Sequence, residues 1–424
     1  MNTNFKKIFY ASLILLIVIS LSYFFSSQSI QNYSFSFILS SIIYLAAVIV
    51  LFKTDLTKAQ TISVLLIFFS IKILFITVDP IGSDDYYRYL WDGKVQANGI
   101  NPFLYPPNDQ QLNSLHSDLL PEKVSYPHIR TIYFPVSQMF FTMSYWMSGE
   151  SAVGLKIILL LAELLILISL YYLLLRFSID LKYILIYVAL PLVTFQFFID
   201  AHIDLAGVAL MLASVTLYFY DKKFLSYILL GLSISVKPTG LLLIPFIFQN
   251  EQKPAEKLKS IFMPIIVFIF TFLPYAFTAT PLNTLINYSA NWTFNGMMYN
   301  VLSLLFSDNL TVRILCGISF LLVFIFIFIL KIDFLKKVYL SLFLLMIFTP
   351  VVHPWYLIWF AVLLPVIRSY SGFYFVAAIS LTSITVVTFQ TVGLWQENTL
   401  VLFAEYLPLT LFFFYEIIKK RIYT

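Results

Sequence analysis

A single cysteine, Cys316, stands among 424 residues, which excludes an intramolecular disulfide and any cysteine-rich metal or iron–sulfur centre. Charged residues make up only 11% of the chain, against about a quarter in soluble domains. That shortage excludes a soluble multi-domain enzyme, and the composition excludes a disordered or collagen-like chain. Neither a GxxxxGKS/T loop nor a dinucleotide-binding glycine fingerprint occurs, so an ATP or nucleotide-sugar site has no motif support. What the chain has is apolar length: 60% of its residues are hydrophobic and 18% aromatic. Runs of about 18 or more apolar residues recur along it, long enough for helices to cross a bilayer. The fold class that follows is an all-α polytopic membrane protein.

At roughly 25–30 residues for one span and its connection, the length predicts about fourteen transmembrane helices, with a range of about 11–14. They are expected near 8–25, 35–52, 60–77, 153–175, 183–198, 203–220, 224–236, 240–250, 261–279, 311–330, 338–352, 354–368, 371–390 and 399–418. Met1–Tyr23 reads as an uncleaved first span, because its apolar run is long and lacks a small-x-small exit. With the N-terminus inside, 18 of the 26 basic residues fall in inside segments, among them Lys6, Lys7, Lys253, Lys257, Lys419, Lys420 and Arg421. That bias puts both termini in the cytoplasm. The net charge of +5 then describes loop placement, and no nucleic-acid partner is expected. The chain reads as one integral membrane domain, 1–424, with an extracytoplasmic loop at 78–152 that carries interfacial helices. Ile132–Gly149 is one of these, since a full span there would reverse every later loop.

The stretch IGSDDYYRYLWDGKVQANGINPFLYPP, Ile81–Pro107, is unlike the rest of the chain. Asp84 and Asp85 stand side by side just beyond the third span. Adjacent, partly desolvated carboxylates raise one another's pKa, which suits one of them to general-base work. Tyr87, Tyr89 and Trp91 offer flat faces for sugar rings and polar tips for the headgroup region. Asp85, Arg88 and Asp92 share a helical face, and Gly99, Pro102, Pro106 and Pro107 stop that helix. The alternative is an interfacial helix with an aromatic belt and a solvated ion cluster.

Three later segments carry candidate chemistry. In FIDAHIDL, Phe198–Leu205, Asp200, His202 and Asp204 stand at the outer water line and can orient an acceptor hydroxyl or a metal. The competing reading is a tight polar turn. In SVKPTG, Ser235–Gly240, Lys237 sits between apolar stretches, either as a phosphate contact or as a snorkelling side chain. In VHPWYLIW, Val352–Trp359, His353 is a phosphate ligand or proton relay with Trp355 and Tyr356 beside it, or all three belong to an aromatic belt.

The long loop resembles the first outer loop of the polyprenyl-phosphate-sugar-dependent glycosyltransferases with the GT-C fold. Within them it is most similar to the bacterial α-mannosyltransferase-like group, whose loop reads approximately D-x-Y-R-Y-x-W-D-G and then G-x-N-P-Y. Asp85, Tyr87, Arg88, Tyr89, Trp91, Asp92, Gly93, Gly99, Asn101 and Pro102 match, and Phe103 replaces a common Tyr. The resemblance implies a GT-C-like fold with Asp85 as catalytic base and Asp84 as its neighbour. It also implies an active-site role for Asp204, and similar Lys-Pro and His-Pro-Trp-Tyr features occur in those families.

The expected activity is transfer of a hexose, mannose first, from a polyprenyl-phosphate donor to a glycan or lipid-linked acceptor, with inversion. Arg88, Lys237 and His353 are expected at the donor phosphate. Tyr87, Tyr89, Trp91, Asp92, Asn101, His202, Asp204, Trp355 and Tyr356 are expected around sugar and acceptor. Membrane lipid is the other partner. No cofactor is expected and, from the resemblance, no divalent metal. The protein is expected in the inner (plasma) membrane, with its active site outside. The rival is a transporter or flippase of lipid-linked or polysaccharide substrates. Its charges should sit at mid-membrane, where Lys72, Glu163 and Glu405 are few beside the outer loop's polar density.

Overall fold

The computed structural model describes residues 3–26, 28–275 and 281–419. The end of the span expected at 261–279, and the inside placement of Lys420 and Arg421, lie outside the described residues. Among these residues the chain is predominantly helical, with no β-strand. It is an all-α polytopic membrane protein. Eight helices among the described residues are long and apolar enough to cross a membrane: Asn4–Phe25, Ile30–Leu51, Lys58–Thr77, Val153–Arg176, Pro254–Tyr275, Asn309–Ile329, Tyr370–Val392 and Thr399–Ile418. The pair Leu181–Val188 and Pro191–Ile199, bent by 49°, makes a ninth if it is one span. The other expected spans fall on shorter pieces, including Asp204–Phe219, Lys223–Ile234 and Phe334–Phe348. Pro191, Pro238, Pro354 and Pro365 each stand at the first positions of a new helical segment, where a missing N–H costs nothing and the preceding helix must stop.

The chain divides into two compact units. The first comprises Met1–Phe75, Leu170–Gln196 and Thr293–Thr424. Several of its helices start on side-chain caps: Ser29 accepts the Asn32 N–H, and Thr57 forms a capping box with Gln60, which satisfies orphan N–H groups. Several polar groups inside it are paired, as an apolar surround favours. Tyr44 donates to the Ile186 carbonyl at 2.8 Å, and Gln196 donates to the Tyr33 hydroxyl at 2.8 Å. Buried Glu416 accepts the Tyr370 and Ser371 N–H groups at 2.6 and 3.2 Å, placing a carboxylate on the N-terminus of the Tyr370–Ala378 helix.

The second unit comprises Ile76–Ser169 and Phe197–Trp292, and it contains most of the long loop. Its Asp85–Ala97 helix ends where Gly99 takes φ +78°, a left-handed cap that glycine adopts without strain. This helix packs on Pro135–Ser148 so closely that a Cβ on Gly93 would lie 2.3 Å from the Phe141 carbonyl oxygen. Tyr89 stacks on the Phe141 ring at 4.7 Å. Gly93→Ala must therefore push two backbones apart. We expect a loss of about 1–3 kcal/mol or more, read as a lower melting temperature in detergent; unchanged melting would show that the two helices separate freely. Lys94 pairs with Glu150 at 2.6 Å, and Phe103, 1% exposed, meets Tyr275 edge-on at 4.9 Å.

Candidate functional site

The site is built within the second unit from three turns. The first precedes the Asp85–Ala97 helix. There the Ile81 and Gly82 N–H groups donate to one oxygen of buried Asp200 at 3.2 and 2.8 Å, so the chain enters the helix from a fixed direction. Asp84 is exposed and accepts a hydrogen bond from Ser125. Asp85 occupies the first helical turn.

The second turn is 199–203, where Ala201 adopts φ +62°. It buries His202 completely and starts the Asp204–Phe219 helix on a carboxylate. The third turn follows Lys223–Ile234. Val136 N–H donates to the Ser235 carbonyl at 3.1 Å and Ser137 Oγ to the Val236 carbonyl at 3.1 Å. These bonds hold the segment that carries Lys237.

The charged groups converge. Lys237 Nζ lies 2.6 Å from Asp204 Oδ1, with Asp204 nearly fully buried. His202 Nδ1 lies 3.7 Å from Asp85 Oδ2 and 3.4 Å from the Tyr89 hydroxyl. Tyr133 donates to the Tyr89 hydroxyl at 3.4 Å, and Tyr89 in turn hydrogen-bonds Asp85. About a third of the Asp85 side chain still meets solvent, yet the surrounding protein is dense. Burial, then the charges of Asp84 and Asp204, push its carboxyl up to about 7, against the opposing pull of Lys237 and the Tyr89 hydroxyl. Burial and neighbouring negative charge both disfavour a carboxylate. The result is an acid group that changes charge near neutrality, which suits it to accepting a proton.

Other motif residues also take part in the loop's own packing. Arg88 Nε lies 3.0 Å from Asp92 Oδ1, and its Nη2 donates to the Ile129 carbonyl at 2.7 Å. Asp92 also accepts from Gln138 at 3.0 Å. Trp91 is 1% exposed and meets the His116 ring. Asn101 Oδ1 accepts the Phe103 N–H at 2.9 Å, closing a local turn. Tyr87 lies against Tyr86 with ring centroids 4.0 Å apart. His353, Trp355 and Tyr356 belong to the first unit. There His353 stacks between Trp355, at 4.4 Å, and Phe294, at 4.9 Å, with Tyr356 edge-on at 5.3 Å.

Sequence reasoning missed Tyr133 and Ser125, and it assigned Asp200 to acceptor or metal rather than to the clamp on the loop. No local pattern marks these roles, because each partner lies 41 to 119 residues away. Among the described residues no group of three or more His, Cys, Asp and Glu side chains is placed to hold a metal ion.

A polytopic helical protein that gathers carboxylates, an imidazole and an ammonium group beside aromatic rings has the make-up of a membrane glycosyltransferase. A family model described as alpha-(1->6)-mannopyranosyltransferase, N-terminal domain, matches residues 16–250, and one for the MptB C-terminal domain matches residues 296–415. The chain belongs to this alpha-(1->6)-mannopyranosyltransferase family and is a mannosyl-transferring enzyme. No curated protein and no solved structure matches it.

Proposed function

We propose that the chain moves a mannosyl group from a polyprenyl-phosphate donor to a glycan or lipid-linked acceptor, with inversion and with Asp85 as the base. The observation that carries this reading is the Asp85 carboxyl, raised to about 7, with His202 and Asp204–Lys237 around it. As an acceptor hydroxyl attacks the anomeric carbon, its proton passes to Asp85 and the new carbon–oxygen bond forms. The bond from that carbon to the phosphate oxygen breaks on the opposite face, and polyprenyl phosphate leaves with the electron pair. Lys237 meets the departing negative charge, which grows in the transition state and is best stabilised by a fixed cation. His202 and Tyr89 orient the base, and Arg88 holds the loop through Asp92 and Ile129. Inversion to an α product requires a β-linked donor.

A lipid-linked donor agrees with the missing nucleotide motifs. The fold in this reading is GT-C-like, in the plasma membrane, with both termini cytoplasmic and the site outside. The supporting observation is the inside bias of lysine and arginine. No metal enters the step, so transfer should persist in EDTA.

The test is to incubate membranes carrying the protein with radiolabelled polyprenyl-phosphate mannose, and separately with its glucose and arabinose counterparts and a nucleotide-linked mannose. Product from the first alone is expected; product from the nucleotide sugar alone would overturn the donor assignment.

The pH profile provides a second check. The base must be ionised, so kcat/KM should fall as pH drops through about 7. Asp84 raises the Asp85 pKa and the Tyr89 hydrogen bond lowers it. Asp84→Asn should therefore move this acid limb to lower pH and Tyr89→Phe to higher pH. Shifts in the same direction would show that the limb belongs to another group.

A further inference from the structure

We propose that Tyr126, Tyr288 and Trp292 form the platform on which a sugar ring of the acceptor glycan stacks. All three lie in the second unit, and none belongs to the loop motif. Tyr288 and Trp292 stand one turn apart at the end of the Leu282–Asn291 helix, with ring centroids 5.4 Å apart and planes 20° from parallel. Tyr126 meets Trp292 edge-on at 4.5 Å and 83°, and is itself 49% exposed. Rings packed this way offer a broad apolar face with polar tips, which matches the C–H face of a pyranose ringed by hydroxyls.

Tyr126 is also held under strain. Its φ of +54° is a left-handed conformation that bulky residues rarely adopt and that marks functional positions. The turn carrying it is anchored beside the proposed base. Ser125 donates to Asp84, Ile129 N–H donates to the Tyr126 carbonyl at 3.0 Å, and Arg88 reaches the Ile129 carbonyl at 2.7 Å. On the other side of the platform, Tyr288 lies within electrostatic reach of Tyr133, whose hydroxyl meets Tyr89. A ring set only to anchor the protein at a membrane surface needs no such fixed backbone.

The acceptor is assigned here, rather than the donor sugar, by the direction of the chemistry; in this the proposal rests on Asp85 as base. The phosphate pole is at Lys237 and Asp204, whereas the platform adjoins Asp84. A hydroxyl that loses its proton to Asp85 must approach from the acceptor side.

The test uses purified full-length protein, polyprenyl-phosphate mannose at saturation, and octyl α-1,6-mannobioside as the acceptor probe. Trp292→Ala and Tyr126→Ala should each raise the KM for the mannobioside tenfold or more while the donor KM moves less than twofold. Trp292→Phe, which keeps a flat ring, should restore most of the loss and shows that the variants fold. Equal acceptor KM in wild type and Trp292→Ala overturns the proposal.

A binding arm stands apart from turnover: α-1,6-mannotriose is titrated against intrinsic tryptophan fluorescence. A saturable change in wild type and in Asp85→Asn, lost in Tyr126→Ala, which keeps every tryptophan reporter, supports the platform even where no transfer occurs. The same change in Tyr126→Ala, or none in wild type, overturns it.

Discussion

Asp85→Asn should lower mannosyl transfer by about a thousandfold, within the roughly 10²–10⁴ range for losing a positioned general base, while leaving the protein folded. The substitution keeps the shape of the side chain and removes its proton affinity. The linkage sign makes the prediction sharper. A carboxyl held near 7 in the folded protein, against about 3.8 unperturbed, favours folding less as pH rises from about 4 through 7, because ionising it beside Asp84 and Asp204 is unfavourable. At pH 8 the neutral amide relieves that repulsion, so Asp85→Asn should melt no lower than wild type. Lost activity with kept or raised melting temperature separates chemistry from architecture. Wild-type activity in this variant would remove Asp85 as the base, and a large fall in melting temperature would make its role structural. Asp84→Asn is the comparison, with activity kept at high pH.

The second large effect is expected at Lys237. Lys237→Met should reduce kcat by about a hundredfold or more, the usual size for removing one group that stabilises charge in a transition state. It also leaves Asp204, 4% exposed, without its 2.6 Å partner. Breaking a buried pair from one side strands a charge, so melting temperature should fall as well. Lys237→Met with Asp204→Leu removes both charges and should recover stability without recovering turnover. If the double variant regains activity, the lysine serves only to neutralise Asp204 and the phosphate role is wrong. The single lysine variant should also move the acid limb upward, since Lys237 lowers the Asp85 pKa.

The residues that carry these predictions were legible in the sequence for one reason. Asp84, Asp85, His202, Asp204 and Lys237 are polar groups at the margins of apolar runs, where each needs a partner or a function. Four neighbours in the same motif show the limit of that reasoning. Arg88, Trp91, Asp92 and Asn101 have the right chemistry for substrate contact, but a spacing of four residues tells only that two side chains share a face. Whether Gln138, Ile129 or His116 covers that face is decided by which helix packs there. Tyr133 and Ser125 escaped notice on the same grounds: a tyrosine and a serine in a loop look alike wherever they lie.

Composition and apolar periodicity determined the membrane class, the helical fold and the polar density of the long loop, because bilayer crossing is a property of contiguous residues. Proline positions showed where spans break, as between 338–352 and 354–368, while the lengths left between breaks depended on packing, so the division of 354–367 into three short pieces emerged only in three dimensions. Which carboxylate is raised toward neutrality depended on the tertiary structure as well as on the neighbouring Asp84. Burial and the fields of Asp204 and Lys237 reach Asp85 across more than a hundred residues of chain, and no local rule encodes that distance.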